Sequence, residues 1–225
     1  MADKSFKRLY IFAGHYGSGK TNIAVNFALH MKKNGLDVRI ADMDIVNPYF
    51  RTKDSTDVLE AAGIPLVSPA FANTNVDLPA LPAEMYGIIQ NKNFYGVLDV
   101  GGDDRGAYAL GRYAPFILEE NNYEMCFVAN FHRPLTRCAE DALEVMREIE
   151  AACGIKFTAI VNNSNLGGDT DAASVESTFK EAERLSEISG LSILFTSVTE
   201  ELSKEVTGEN IFGMTLQRKY FDLIQ

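Results

Sequence analysis

One stretch constrains this chain more than any other: Gly14-His15-Tyr16-Gly17-Ser18-Gly19-Lys20-Thr21 fits the pattern G-x-x-x-x-G-K-[ST] without a gap. Upstream, Leu9 to Ala13 is a short apolar run of strand composition. Downstream, Asn22 to Lys33 places Ile23, Ala24, Phe27, Ala28 and Met31 at helical spacing. A glycine-rich turn between a strand and a helix points successive backbone N–H groups inward, and the helix adds its positive dipole end. The stretch is therefore read as a phosphate-binding P-loop formed by Gly14, His15, Tyr16, Gly17, Ser18, Gly19, Lys20 and Thr21, with Asn22 continuing into the helix. Lys20 is expected to reach the terminal phosphates, and the Thr21 hydroxyl to ligate Mg²⁺.

A chain of 225 residues suits one α/β domain and is too short for two, so residues 1–225 are read as a single nucleotide-binding domain. No apolar run approaches the roughly 18 residues that mark a membrane helix, and the N-terminus leads into the first strand without an apolar signal region. Cys126, Cys138 and Cys153 form no C-x-x-C pair, which suggests neither a disulfide framework nor a zinc site and makes the cytoplasm the expected compartment. The formal charge of −10 opposes binding to nucleic acid or an anionic membrane.

Along the chain, Leu36 to Ala41 reads as a second strand ending at Asp42-Met43-Asp44. In a doubly wound sheet ligands sit outside the carboxyl ends of strands, so these carboxylates are expected to face the crevice of the P-loop, to hold Mg²⁺ through water and to orient an attacking water. The segment Ile45 to Arg51 is read as irregular, because Pro48 removes a donor and restricts Asn47, and as a candidate moving loop. A short helix over Asp57–Ala62 and an edge strand over Ile64–Ser68 follow, then a loop from Phe71 to Pro82 and a helix over Leu81–Gln90. Tyr95 to Gly102 is an apolar run ending in Asp99-Val100-Gly101-Gly102. A buried carboxylate at a strand end needs a metal or donors, and Gly102 lets a backbone N–H approach the γ-phosphate. Arg105 and Arg112 could act on phosphate charge, while His132, Arg133 and Arg137 read as surface.

The remaining pattern is a helix over Ala107–Glu120, a strand over Glu124–Asn130 and a helix over Thr136–Ala152. A strand over Lys156–Val161 delivers Asn162 and Asn163 to the crevice side; either an adenine contact or an Asx turn fits such an amide. A helix over Asp171–Ser189 and a strand over Leu191–Thr196 lead to short helices near Glu201–Lys204 and Leu216–Ile224. The fold class read from this alternation is α/β, a mostly parallel, doubly wound sheet of about seven strands with helices on both faces.

Gly14 to Thr21, Asp42-x-Asp44 and Asp99-x-Gly101-Gly102, in that order, resemble the MinD/ParA family, kin of the nitrogenase iron protein in the SIMIBI class of P-loop NTPases. The likeness spans nearly the whole chain. It implies ATP as the nucleotide, Lys20 and Thr21 on phosphate and Mg²⁺, Asp42 and Asp99 on the metal's waters, Asp44 positioning the hydrolytic water, and Asn162 reading adenine. It also implies a nucleotide-dependent homodimer and a protein partner. One position departs: the family's second lysine, which follows the first glycine, is here His15. The function expected is hydrolysis of ATP to ADP and phosphate as a switch for a partner protein. Two alternatives remain: an ATP-dependent carboxylate-activating enzyme similar to dethiobiotin synthetase or the cobyrinate amidases, and a nucleotide-binding module that does not hydrolyse.

Overall fold

The computed structural model describes residues 6–44, 55–68 and 83–216. The loops read at 45–51 and 71–82 and most of the terminal helix read at 216–224 lie outside the described residues.

Every residue of β1 (Leu9–Ala13) is buried, as in a parallel strand covered on both faces. Around it stand β2 (Val38–Met43), β3 (Leu66–Val67), β4 (Tyr95–Val100), β5 (Tyr123–Ala129), β6 (Ala159–Asn162), β7 (Ser192–Thr199) and β8 (Ile211–Met214). They form one sheet in the order β3-β2-β4-β1-β5-β6-β7-β8, parallel at each interface. Because side chains alternate along a strand, Leu9, Ile11 and Ala13 enter one apolar layer and Tyr10 and Phe12 the other.

The second layer is built by α1 (Lys20–Lys33), which buries Ile23, Ala24, Phe27, Ala28 and Met31. Phe27 is its centre, with ring centroids 4.5 Å from Tyr10, 5.4 Å from Phe12 and 6.0 Å from Phe195. α2 (Thr56–Ala61) adds Leu59 to this side. The opposite layer is covered by α3 (Ala83–Gln90), α4 (Asp104–Gly111), α5 (Ala114–Glu120), α6 (Ala139–Cys153) and α8 (Phe179–Ser189). A short α7 (Ala172–Glu176) precedes α8. Helices on both faces of a parallel sheet agree with the expected class.

Three details differ from the sequence reading. The helix expected over Ala107–Glu120 is two, α4 and α5: Gly111 packs so closely on α6 that an added Cβ would lie 3.3 Å from the Cys153 carbonyl oxygen, and Pro115 sits in the first turn of α5. The helix expected over Asp171–Ser189 is likewise divided; Asp171 and Ser174 form a capping box that opens α7, and the chain turns again before α8. The sheet gains β8, an edge strand of four residues, from a stretch too short to show alternation.

Buried charge ties the layers together. The Arg8 guanidinium meets the Glu120 carboxylate at the end of α5 and donates to the carbonyl oxygens of Ile88 and Asn91 at the end of α3, at 3.1 and 3.3 Å. A planar, multidentate donor of this kind satisfies helix C-terminal carbonyls and a carboxylate at once. Cys126 and Cys153 are buried free thiols; burial pushes the Cys126 thiol well up, so it behaves as a core residue. No described helix is long and apolar enough to cross a membrane.

Candidate functional site at the P-loop

β1 runs into Gly14, and α1 opens at Lys20, so the strand–loop–helix context of the motif is present. Gly19 stands before α1 in the left-handed conformation (φ 88°) with no side-chain cap on the helix, and the first turn carries no acidic residue. A helix start without a side-chain cap or a nearby carboxylate makes a natural anion seat. Gly19 also faces the Asn163 amide, which leaves no room for a Cβ. The Ser18 hydroxyl is buried inside the loop without a hydrogen-bond partner, so a bound anion would find a donor there.

Lys20 is 7% exposed, and its Nζ donates to the His15 carbonyl at 3.1 Å. Burial pulls its pKa down; the negative charges of Asp99, Asp44 and Asp103 oppose that without reversing it. An ammonium desolvated in this way is primed for an added anion. Gly102 presses on the same group: a Cβ there would lie 2.7 Å from Lys20 Nζ and 2.8 Å from the Tyr16 amide nitrogen. The loop after β4 therefore rests directly on the P-loop.

The sheet order explains the acids. β4 lies between β2 and β1, and Asp42 and Asp99 are register partners on adjacent strands, each 1% exposed. Asp42 accepts the Asp44 backbone N–H at 2.9 Å, which fixes the exit of the chain from β2. Asp44 in turn abuts Gly101, whose added Cβ would meet Asp44 Oδ1 at 3.4 Å. Asp103 caps α4 by accepting the Gly106 N–H at 3.0 Å. Thr21 stands half-buried in the first turn of α1, followed by Asn22. Among the described residues no cluster of three or more His, Cys, Asp or Glu could cage a metal. Thr21, Asp42 and Asp99 offer oxygen donors alone, a chemistry that fits Mg²⁺, which takes one or two carboxylates together with water and phosphate oxygens.

The two asparagines after β6 take different places. Asn163 is the brace of the P-loop, donating to the Ser18 carbonyl at 2.6 Å and accepting from Ser197 Oγ at 2.7 Å. Asn162 is fully buried; its Nδ2 donates to Thr178 Oγ1 at 3.1 Å and its Oδ1 accepts the Ser164 hydroxyl at 2.6 Å. The amide that the sequence offers as a base reader is thus engaged inside the protein. His15 is half-buried with Nδ1 3.0 Å from the Tyr16 carbonyl oxygen, and Tyr16 is exposed. Arg105 and Arg112 are exposed at opposite ends of α4. Arg133, read from sequence as surface, is exposed but lies against the P-loop: its Cζ is 3.7 Å from a Cβ built on Gly17. No sequence signal pointed to it.

A groove of about 570 Å³ lies elsewhere, between α8, β7 and the segment before β8. Glu183, Glu187 and Glu209 line it, a charge that repels phosphate.

No protein-family model and no curated protein sequence matches the chain. Solved structures do. The cell division protein FtsY of Thermotoga maritima is similar with a TM-score of 0.57 at 15% identity over 89% of this chain and 64% of that one. The signal recognition particle 54 kDa protein of Aeropyrum pernix, in complex with GDP, gives 0.54 at 14% identity over 87% and 42%. Chloroplast FtsY of Physcomitrella patens gives 0.58 at 18% over 89% and 61%. The chain thus spans less than two thirds of the length of these proteins. The shared fold is that of α/β P-loop NTPases: a single mostly parallel sheet wrapped by helices, with the phosphate-binding loop at the end of its first strand.

Proposed function

We propose that the protein binds a nucleoside triphosphate with Mg²⁺ at Gly14–Thr21 and hydrolyses the γ-phosphate, as a nucleotide-driven switch read by a partner protein. The observation that carries this reading is the buried Lys20 ammonium, held in a glycine cradle beside Asp44 and Asp99 and against Gly102. Phosphoryl transfer asks little of a protein beyond positioning and charge stabilisation, and this site supplies both. Backbone amides at the start of α1 and Lys20 bind the phosphate chain. Thr21, Asp42 and Asp99 are the proposed holders of Mg²⁺ and its waters; when bound, the metal neutralises charge building on the phosphate oxygens. Asp44, which follows Asp42 out of β2, is the proposed positioner of the hydrolytic water.

The switch character rests on Gly102 and Asp44. Both belong to strand-end loops that touch the phosphate site or each other, so arrival or loss of a γ-phosphate has a direct path to the surface. The resemblance to the MinD/ParA family favours ATP, read by Asn162, and a dimer around two nucleotides. GDP in the Aeropyrum pernix neighbour favours a guanine nucleotide, and an Asn162 amide already bonded to Thr178 and Ser164 weakens the case for adenine. Equilibrium binding of Mg-ATP and Mg-GTP, each to the native protein and to Lys20→Ala, tests the proposal. Saturable binding of either nucleotide that Lys20→Ala abolishes is expected; no binding of either, or equal binding by both proteins, overturns it.

A further inference from the structure

We infer that Arg133 is a phosphate-chain ligand of the nucleotide site, reaching it from the flank opposite Asp99. The inference rests on the reading of Gly14–Thr21 as a nucleotide site. β1, which feeds the loop, has β4 on one side and β5 on the other. β4 and its neighbour β2 bring the acids Asp99 and Asp42. β5 ends at Ala129, and the turn that follows carries Arg133 to Gly17, with the guanidinium Cζ and Nε each 3.7 Å from a Cβ built there.

Gly17, like Gly19, is left-handed (φ 76°), a conformation glycine adopts freely. Its bare backbone lets the guanidinium plane approach the loop's outer surface. The acids of β2 and β4 suit a metal on their side; phosphate oxygens beyond the metal's reach need a cation on the other. Lys20 serves the loop interior, and Arg133 is a cation that the fold places at the rim on the β5 side.

The turn bearing Arg133 is fastened at several points. Asn130, fully buried, accepts the His132 N–H on its side chain at 3.0 Å and the Thr136 hydroxyl on its carbonyl at 2.6 Å. The Phe131 N–H donates to Ser164 Oγ at 3.0 Å, and His132 Nε2 lies 3.2 Å from the Ser174 carbonyl oxygen. The Arg133 backbone donates to Asn130 and accepts from Thr136, and Pro134 stiffens the next step. Yet the side chain so positioned is exposed, and among the described residues its guanidinium enters no ion pair. A fixed backbone under an unpaired guanidinium suits a fork built for phosphate oxygens.

The experiment measures displacement of a fluorescent nucleotide from the full-length chain by inorganic tripolyphosphate and by unlabelled nucleotide. It compares the native protein with Arg133→Ala, Arg133→Lys and, as a control on the same turn, Arg137→Ala. For Arg133→Ala, about a tenfold or larger loss of affinity for both nucleotide and tripolyphosphate is expected, the scale of a lost charge-assisted hydrogen bond. Arg133→Lys should recover part of it, with a steeper salt dependence than Arg133→Ala. Three results overturn the inference while leaving the nucleotide site intact: unchanged affinity in Arg133→Ala, an equal loss in Arg137→Ala, or a loss for nucleotide but not tripolyphosphate, which would place Arg133 on the base or ribose. A defect that appears only as protein concentration rises assigns the contact to a second copy's nucleotide and overturns it as well. Failure of the native protein to bind nucleotide at all refutes the underlying site instead.

Discussion

Asp42 and Asp99 stand opposite each other on adjacent parallel strands, both buried, at the ends of β2 and β4 that face the P-loop. Two carboxylates brought together at 1% exposure are costly unless something positive or hydrogen-bonding answers them. Asp99→Asn keeps the shape and removes the charge. It is expected to weaken Mg-nucleotide affinity about 10- to 100-fold, the usual effect of altering groups that orient a metal's ligands, while binding without Mg²⁺ changes little. Titrations with and without EDTA measure this, and equal loss under both conditions would assign Asp99 to folding rather than to the metal.

Gly102 touches Lys20 and Tyr16 so closely that no Cβ fits without movement. Gly102→Ala should therefore displace the Lys20 ammonium or lift the loop after β4, and lower nucleotide affinity with little change in thermal stability. Calorimetric binding beside a thermal melt separates the two; unchanged affinity would show that the contact yields at no cost.

Arg8 joins α3 and α5 through Glu120 and helix-end carbonyls while only 5% exposed. Removing one partner of a buried pair strands the other, at a cost of about 3–5 kcal/mol. Arg8→Ala should lose stability on that scale in urea unfolding. A double variant that also carries Glu120→Leu should regain part of it, because no charge is then left unpaired.

Glu150 provides a pH test. Burial pushes its carboxyl up, but hydrogen bonds from Lys156, the Phe157 N–H and Arg147 outweigh that and hold it below the ordinary carboxylate range. A depressed carboxylate stabilises the fold above its unfolded pKa of about 4.3, and that stabilisation is lost as pH falls through the lower folded value. Glu150→Gln should thus be about 1–2 kcal/mol less stable at neutral pH, with the gap from native closing below pH ~4. Urea melts across that range check it; a gap that persists in acid would mean packing, not charge, is the cause.

The strand–loop–helix setting of Gly14–Thr21 was readable because the motif is contiguous and the elements on either side carry their own periodicity. The flanking acids were readable because each closes an apolar run. Arg133 was not: it meets Gly17 only because β5 lies beside β1, and nothing local distinguishes it from Arg137. Asn162 and Asn163 are adjacent and chemically identical, so only strand geometry shows that Asn163 grips the loop and Asn162 turns to Thr178. β8 escaped notice for a different reason: Ile211–Met214 contains Gly213 and is held in place by non-local contacts, its neighbour Thr215 being clasped by Asn26 of α1 at 2.9 Å in both directions.

Single-turnover hydrolysis of ATP beside GTP, with Mg²⁺ and the protein alone, tests the central claim most directly, using Lys20→Ala and Asp44→Ala as comparisons. The account predicts slow conversion of one nucleotide to its diphosphate, abolished in Lys20→Ala through loss of binding and in Asp44→Ala with binding retained. Hydrolysis that persists at the native rate in Lys20→Ala would contradict it, and normal turnover in Asp44→Ala would remove Asp44 from the reaction.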